Sequence, residues 1–262
     1  MSTLVLFHAH PDDEAIATGG LMCKASDAGH RVVLVCATRG EQGEPQEGVL
    51  NEGETLGERR VVELAEACEI LGAEPPIFLD YEDSGMIGEP TNDNPACFWQ
   101  ADVGEAIERL SKILVDVDAD VLTIYDDHGG YGHPDHIQVH RVGKAAAEAA
   151  GITNVYESTM NRDAIKIMME VMGGQEDMEE PEVDVDTMGT EEADISFLVE
   201  SGEFTDRKRL AMLAHRSQIG PDSFFLQMPE EMFEIAFGKE WFNLTGVSDT
   251  GGPQTVDLLP GL

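Results

Sequence analysis

The 262-residue chain has no apolar run approaching the roughly 20 residues that a membrane-spanning helix needs, so no span is expected. It passes from Met1-Ser2-Thr3 straight into apolar sequence, without a basic stretch or a cleavage site, which points to a cytoplasmic protein. Cysteine is sparse. Cys23, Cys36, Cys68 and Cys97 form no CxxC pair, which argues against a zinc knuckle and for free buried thiols. Basic residues are few: 16 Lys and Arg stand against 52 Asp and Glu, for a net charge of −36. Such a chain offers no basic face, so nucleic acid and anionic membrane are not expected as partners. The same imbalance suits a cell with high internal salt, where dense carboxylates keep a surface hydrated. An ordinary acidic protein from a genome poor in lysine codons is the alternative.

What is present is enough for a core. Hydrophobic residues make up 42% of the chain, sufficient for one large α/β domain or a main domain with a small appendage. Apolar runs at 4–7, 31–38, 77–79, 121–125 and 154–158 read as strands. Helical spacing runs through 57–71, 103–117, 139–150 and 164–172. A late strand at 195–199, a helix at 205–215 and a helix-then-strand segment ending at Phe242 follow. Alternation without an internal repeat predicts an α/β fold, a Rossmann-like three-layer sandwich around a mostly parallel sheet. Residues 1–172 read as a metal-binding catalytic core, 173–192 as an acidic connection, 193–247 as a C-terminal part completing the same domain, and 248–262 as a loose tail. Residues 86–98, rich in Gly, Pro, Asn and Asp, read as a surface loop or lid.

The chemistry gathers in two places. His8-Ala9-His10-Pro11-Asp12-Asp13-Glu14 follows the first strand, at the end where open α/β sheets place their ligands. Pro11 fixes its own φ and keeps His10 extended, so the corner can aim His10 and Asp13 at one point with Asp12 beside them. Tyr131-Gly132-His133-Pro134-Asp135-His136 follows the fourth strand and precedes a helix, where His133 and His136 share a face. Two histidines and a carboxylate with open positions suit a catalytic zinc or a related divalent ion, and iron(II) suits the same set. Adjacent Asp12 and Asp13 project differently from a tight turn, so one can ligate while the other works as a base.

Ala9-His10-Pro11-Asp12-Asp13-Glu14, Gly130-Tyr131-Gly132-His133-Pro134-Asp135-His136, Arg60-Val61-Val62-Glu63-Leu64 and Asp83-Ser84-Gly85-Met86 resemble the PIG-L/LmbE family of metal-dependent N-acetylglucosaminyl deacetylases and amidases, especially its actinobacterial mycothiol branch. The likeness covers residues 1–160 well and 204–244 more loosely. It implies that His10, Asp13 and His136 bind zinc and that Asp12 is the general base. His133 would stabilise the oxyanion with Asp135 holding its ring, and Tyr131 would sit near the developing tetrahedral centre. Arg60, Asp83 and, more weakly, Glu44 would meet sugar or cyclitol hydroxyls. Two departures stand out: Asp126-Asp127-His128 replaces the branch's Asp-Pro-Asn, and the acidic stretch at 173–192 is extra.

Each residue also has a plain reading. Asp12 or Glu14 can be a helix cap, Arg60 can pair with Glu63 or Glu58 on a helix surface, and Asp83 can simply form a turn. His8 reads as a partner behind the site or a buried polar residue, and His215 with Gln218 as an exposed helix end or a late approach to the site. Together the motifs imply a zinc-dependent hydrolase removing an N-acetyl or other N-acyl group from a small-molecule aminosugar. Alternatives are an amidase of a thiol conjugate and a non-catalytic sugar- or metal-binding relative. Phosphoester hydrolysis lacks ligands for a second metal. A homo-oligomer is compatible with all of these readings.

Overall fold

The computed structural model describes residues 1–173 and 184–262, so residues 174–183 of the expected acidic connection lie outside the described part. Eight strands form one sheet: β1 (Thr3–His8), β2 (Arg31–Cys36), β3 (Ile77–Phe78), β4 (Val121–Tyr125), β5 (Asn154–Thr159), β6 (Phe197–Glu200), β7 (Lys239–Leu244) and β8 (Gln254–Val256). Their spatial order is β3-β2-β1-β4-β5-β7-β6-β8. The first five run parallel, with Leu4 opposite Val32 on one side and Val121 on the other. β7 alone runs against its neighbours β5 and β6, and β8 returns parallel to β6. The C-terminal strands therefore extend the same sheet.

Period-2 alternation divides the core. Leu4, Leu6, Val32 and Leu34 face one apolar layer with Leu21, Leu64 and Met212, while Val5, Phe7, Val33 and Val35 face another with Leu110, Val139 and Val142. Helices cover both faces, giving the three-layer sandwich. Among them, Leu56–Leu71 opens on a Thr55–Glu58 capping box and stops at Gly72, whose φ of 83° only glycine adopts freely. The chain leaves β1 towards β2 on one side and reaches β4 on the other. This switch point opens a crevice beyond the strands' carboxyl ends.

A buried ion pair ties the late part to the early one. Lys208 Nζ lies 2.5 Å from Glu240 Oε1, both side chains 1% exposed. The two Glu240 oxygens also accept the N–H groups of Gly20 (2.7 Å) and Leu21 (2.8 Å), which open the helix Gly19–Asp27. Two expectations need correction. Residues 248–262 are not loose: β8 pairs with β6, Leu259 is fully buried, and Tyr156 Oη donates to the Pro260 carbonyl at 2.8 Å. Residues 86–96 form the expected surface loop, but the segment is no free lid, because Cys97 and Phe98 at its end are fully buried and Phe98 N–H donates to the Glu82 carbonyl at 2.9 Å. Apolar anchors inside a polar stretch explain both misreadings.

Candidate active site

β1 delivers His10 and the Pro11-Asp12-Asp13 corner; β4 delivers Tyr125 and the turn to His133. Asp12 has φ 103°, a left-handed conformation that costs a non-glycine residue about 1–3 kcal/mol unless its surroundings impose it. Here they do. Asp12 N–H donates to Glu14 Oε2 (3.0 Å), its Oδ2 lies 3.2 Å from Arg60 Nη2, and its carbonyl accepts Ala15 and Ile16. On the other segment, Asp126 Oδ1 accepts Gly130 N–H at 2.6 Å. Gly129, at φ 68°, must be glycine, since a Cβ there would fall 2.6 Å from His136 Cβ. His133 then caps the helix Pro134–Ala150, and Pro134 occupies its first turn.

These two segments, over a hundred residues apart, meet. Asp13 Oδ2 lies 3.5 Å from His10 Nδ1 and 3.4 Å from His136 Nε2, and also accepts His10 N–H at 2.8 Å. His10, His133 and His136 each present a ligand atom within 4.8 Å of the others. Among the described residues, buried His136 Nε2 has no hydrogen-bond partner, an orphan that a metal ion would satisfy. Its ring is fixed by stacking on Tyr125, centroids 4.2 Å apart and planes 6° apart. Imidazole nitrogens and a carboxylate oxygen around one point, one of them unpartnered, fit a divalent ion of the zinc or iron(II) kind.

Around His10 stand three carboxylates: the half-buried Asp13, and the buried Asp83 Oδ1 at 3.4 Å and Asp135 Oδ2 at 3.2 Å from Nε2. Burial opposes the imidazolium, but these acids outweigh it and raise His10 well above the usual histidine range. Burial likewise opposes charge on Asp13 and Asp83. His136 and His10 nevertheless hold Asp13 well below the usual range, and His10 with the N–H groups of Gly85 and Gln42 lowers Asp83. Asp12 goes the other way, raised by burial against the pull of Arg60. His133 is pushed down to about 3 by burial, His10 and His136. Its Nδ1 accepts the Asp135 N–H at 3.2 Å, so the neutral ring carries its proton on Nε2, a donor.

The expected roles divide. Asp135 does not hold the His133 ring through its carboxylate. That group instead takes His10 Nε2, Ser84 N–H (2.9 Å) and the Ser84 hydroxyl, and only the Asp135 backbone touches His133. A helix N-terminus offers an N–H where a carboxylate seemed necessary. Arg60 is 4% exposed and spends its guanidinium on the Gly40 carbonyl (2.7 Å), the Pro11 carbonyl and Asp12, behind the site. Asp83 faces His10, Glu44 is exposed near Gln218, and Tyr131 is 45% exposed with its ring 5.0 Å from His136.

Tyr125, Ser84 and the fully buried Glu14–His215 pair (2.7 Å) were missed or left open by sequence reasoning. A tyrosine ending an apolar strand reads as core, and a partner 201 positions away leaves no local signal. His8 is a buried support, bonded to Tyr125 Oη (2.7 Å) and Thr18 Oγ1 (2.8 Å). The unexplained His128 belongs elsewhere: with His140, Lys144 and Glu157 it lines a polar cleft of about 610 Å³ that none of the expected site residues reaches.

Comparison with known proteins places this site in context. The chain is 39% identical over 257 residues to the 1D-myo-inositol 2-acetamido-2-deoxy-alpha-D-glucopyranoside deacetylase of Acidothermus cellulolyticus, covering 92% of this chain and 88% of that one. Its fold resembles that of the N,N'-diacetylchitobiose deacetylase of Pyrococcus horikoshii, with a TM-score of 0.61 at 18% identity over 92% of this chain and 83% of that one. It also resembles the 4-carboxy-2-hydroxymuconate hydratase of Pseudomonas putida, with a TM-score of 0.56 at 17% identity over 93% and 95%. A deacetylase and a hydratase on one scaffold mean that fold alone does not name a reaction. The family model described as GlcNAc-PI de-N-acetylase matches residues 5–147, the span that carries both histidine motifs. On that match and the full-length identity, the chain belongs to the PIG-L family.

Proposed function

We propose that the protein is a zinc-dependent N-deacetylase acting on an N-acetylglucosaminyl conjugate, with a glucosaminide of inositol as the substrate class. The observation that carries this reading is the convergence of His10, Asp13 and His136 while the Asp12 carboxylate is tied to Arg60 rather than to that cluster. The named activity of the relative that aligns along nearly the whole chain supports the substrate class. In this reading His10, Asp13 and His136 hold the ion, which supplies Lewis-acid polarisation of the amide carbonyl and makes water more acidic.

The chain's own groups do the rest. Asp12, raised by burial, takes the proton of the attacking water and later passes it to the departing amine. His133 gives its Nε2–H to the oxygen that becomes negative, and needs no positive charge to do so. Tyr131, partly exposed beside His136, adds its hydroxyl at the same centre. Arg60 holds the base in place, and Glu44 at the exposed rim is free to meet sugar hydroxyls.

The test is release of free amine from N-acetylglucosaminyl-inositol by zinc-loaded and by chelated protein, beside a panel of other N-acyl compounds. Wild type is expected to be active with zinc and silent without it. Asp12→Asn should keep stoichiometric zinc and lose about 10²–10⁴ in kcat. Zinc-loaded protein that freed no amine from any N-acylated aminosugar would overturn the reading, and preference for an N-acyl thiol conjugate would redirect it to an amidase.

A further inference from the structure

We propose that His215 is a positioning residue for Asp12, acting through Glu14 from the far end of the chain. This rests on the reading of Asp12 as the base. His215 Nε2 lies 2.7 Å from Glu14 Oε1, and the other oxygen of that carboxylate accepts the Asp12 N–H at 3.0 Å. One carboxylate thus links the His215 ring to the backbone of the residue whose φ of 103° needs support. His215 and Glu14 are wholly buried, so water cannot replace either contact. Among the described residues, His215 Nδ1 has no hydrogen-bond partner. The contact of Nε2 with Glu14 is thus the polar anchor of this buried ring.

The segment that carries His215 is itself braced from the helix that carries Arg60. Ser217 N–H and its hydroxyl donate to the two Glu63 oxygens at 3.0 and 2.6 Å. Arg60, one turn earlier on that helix, grips the Asp12 side chain and the Pro11 carbonyl. Side chain and backbone of Asp12 are therefore held from two directions, by Arg60 and by the His215–Glu14 couple. A plain structural role for His215, neutralising a buried glutamate, would cost stability but leave the geometry of Asp12 and the turnover of folded enzyme alone.

Three variants, His215→Leu, His215→Gln and Glu14→Ala, separate these cases, with deacetylation kinetics, zinc stoichiometry and a crystal structure of each. His215→Leu is expected to lower kcat tenfold or more, with KM within twofold and zinc content unchanged. His215→Gln keeps an N–H for Glu14 and should recover most of that loss. Glu14→Ala removes both acceptors at once and should resemble His215→Leu, which covers the case in which the leucine variant does not fold. Unchanged kcat in a folded variant, or kcat and zinc lost together, overturns the proposal. If wild type deacetylates nothing, the functional reading fails instead, and the crystal structures still decide. Asp12 leaving its left-handed conformation and Arg60 in His215→Leu or Glu14→Ala supports the proposal; Asp12 unmoved overturns it.

Discussion

Replacing Lys208 with methionine keeps most of the side-chain volume and removes the ammonium that faces Glu240 at 2.5 Å. What remains is a carboxylate 1% exposed with two backbone N–H donors and no countercharge. Breaking a buried pair from one side costs about 3–5 kcal/mol, because the surviving charge cannot reach water. Native stability is only about 5–15 kcal/mol, so Lys208→Met should consume a large share of it. For a chain of this size the melting temperature should fall by roughly 6–20 °C. Adding Glu240→Gln removes the stranded charge and keeps one acceptor for the two N–H groups, leaving a cost of about 1–3 kcal/mol. The double variant should thus be more stable than Lys208→Met. Urea unfolding of the single and double variants, with equal slopes, measures the coupling. A Lys208→Met cost below about 1 kcal/mol, or a double variant worse than the single, would refute the reasoning.

His136→Ala should lose zinc and activity together, since it removes the unpartnered Nε2; metal analysis after dialysis checks it. Gly129→Ala should weaken zinc binding while leaving Asp12 untouched, because its Cβ would press on His136 and its φ is 68°; zinc competition with a chelator reads the shift. With 52 acidic against 16 basic residues, the melting temperature should rise between low and molar KCl as self-repulsion is screened, and a flat curve would remove the link to a saline cell. Burial pushes the Cys23 thiol up to about 12 and raises Cys36 and Cys68 as well. The unfolded chain releases these protons near the ordinary thiol value, so this stability is whole below about pH 9 and falls as pH climbs towards 12. Urea midpoints at about pH 8 and 11 should show the loss, and Cys23→Ala should flatten it.

Much of the scaffold was legible because its signals are local. Val121 to Tyr125 is a strand at the residues its apolar run marks, and Leu56–Leu71 begins and stops where a capping box and a glycine require. The convergence of His10, Asp13 and His136 could be anticipated because two proline-stiffened corners both follow parallel strands, whose carboxyl ends share one rim. What eluded the sequence depends on tertiary neighbours. Asp135 looks like the obvious partner of His133 two residues away, yet helix geometry turns its carboxylate to His10 and Ser84. Arg60 carries a charge that suggests solvent or sugar, but two carbonyls and Asp12 absorb it. Strand β8 lies in a stretch whose Gly251-Gly252-Pro253 hides a pairing segment.

The loop that returns to the sheet after the acidic stretch is fastened at its downstream end. Gly189 N–H donates to the Gly130 carbonyl at 2.8 Å, Thr190 N–H to the Met160 carbonyl at 2.8 Å, and a Cβ on Gly189 would strike that same carbonyl. Gly130 belongs to the turn that presents His133, so this clasp bears directly on the turn that leads into the candidate site. A single methyl group at Gly189 would collide with Met160 and strain the clasp beside the turn that carries His133.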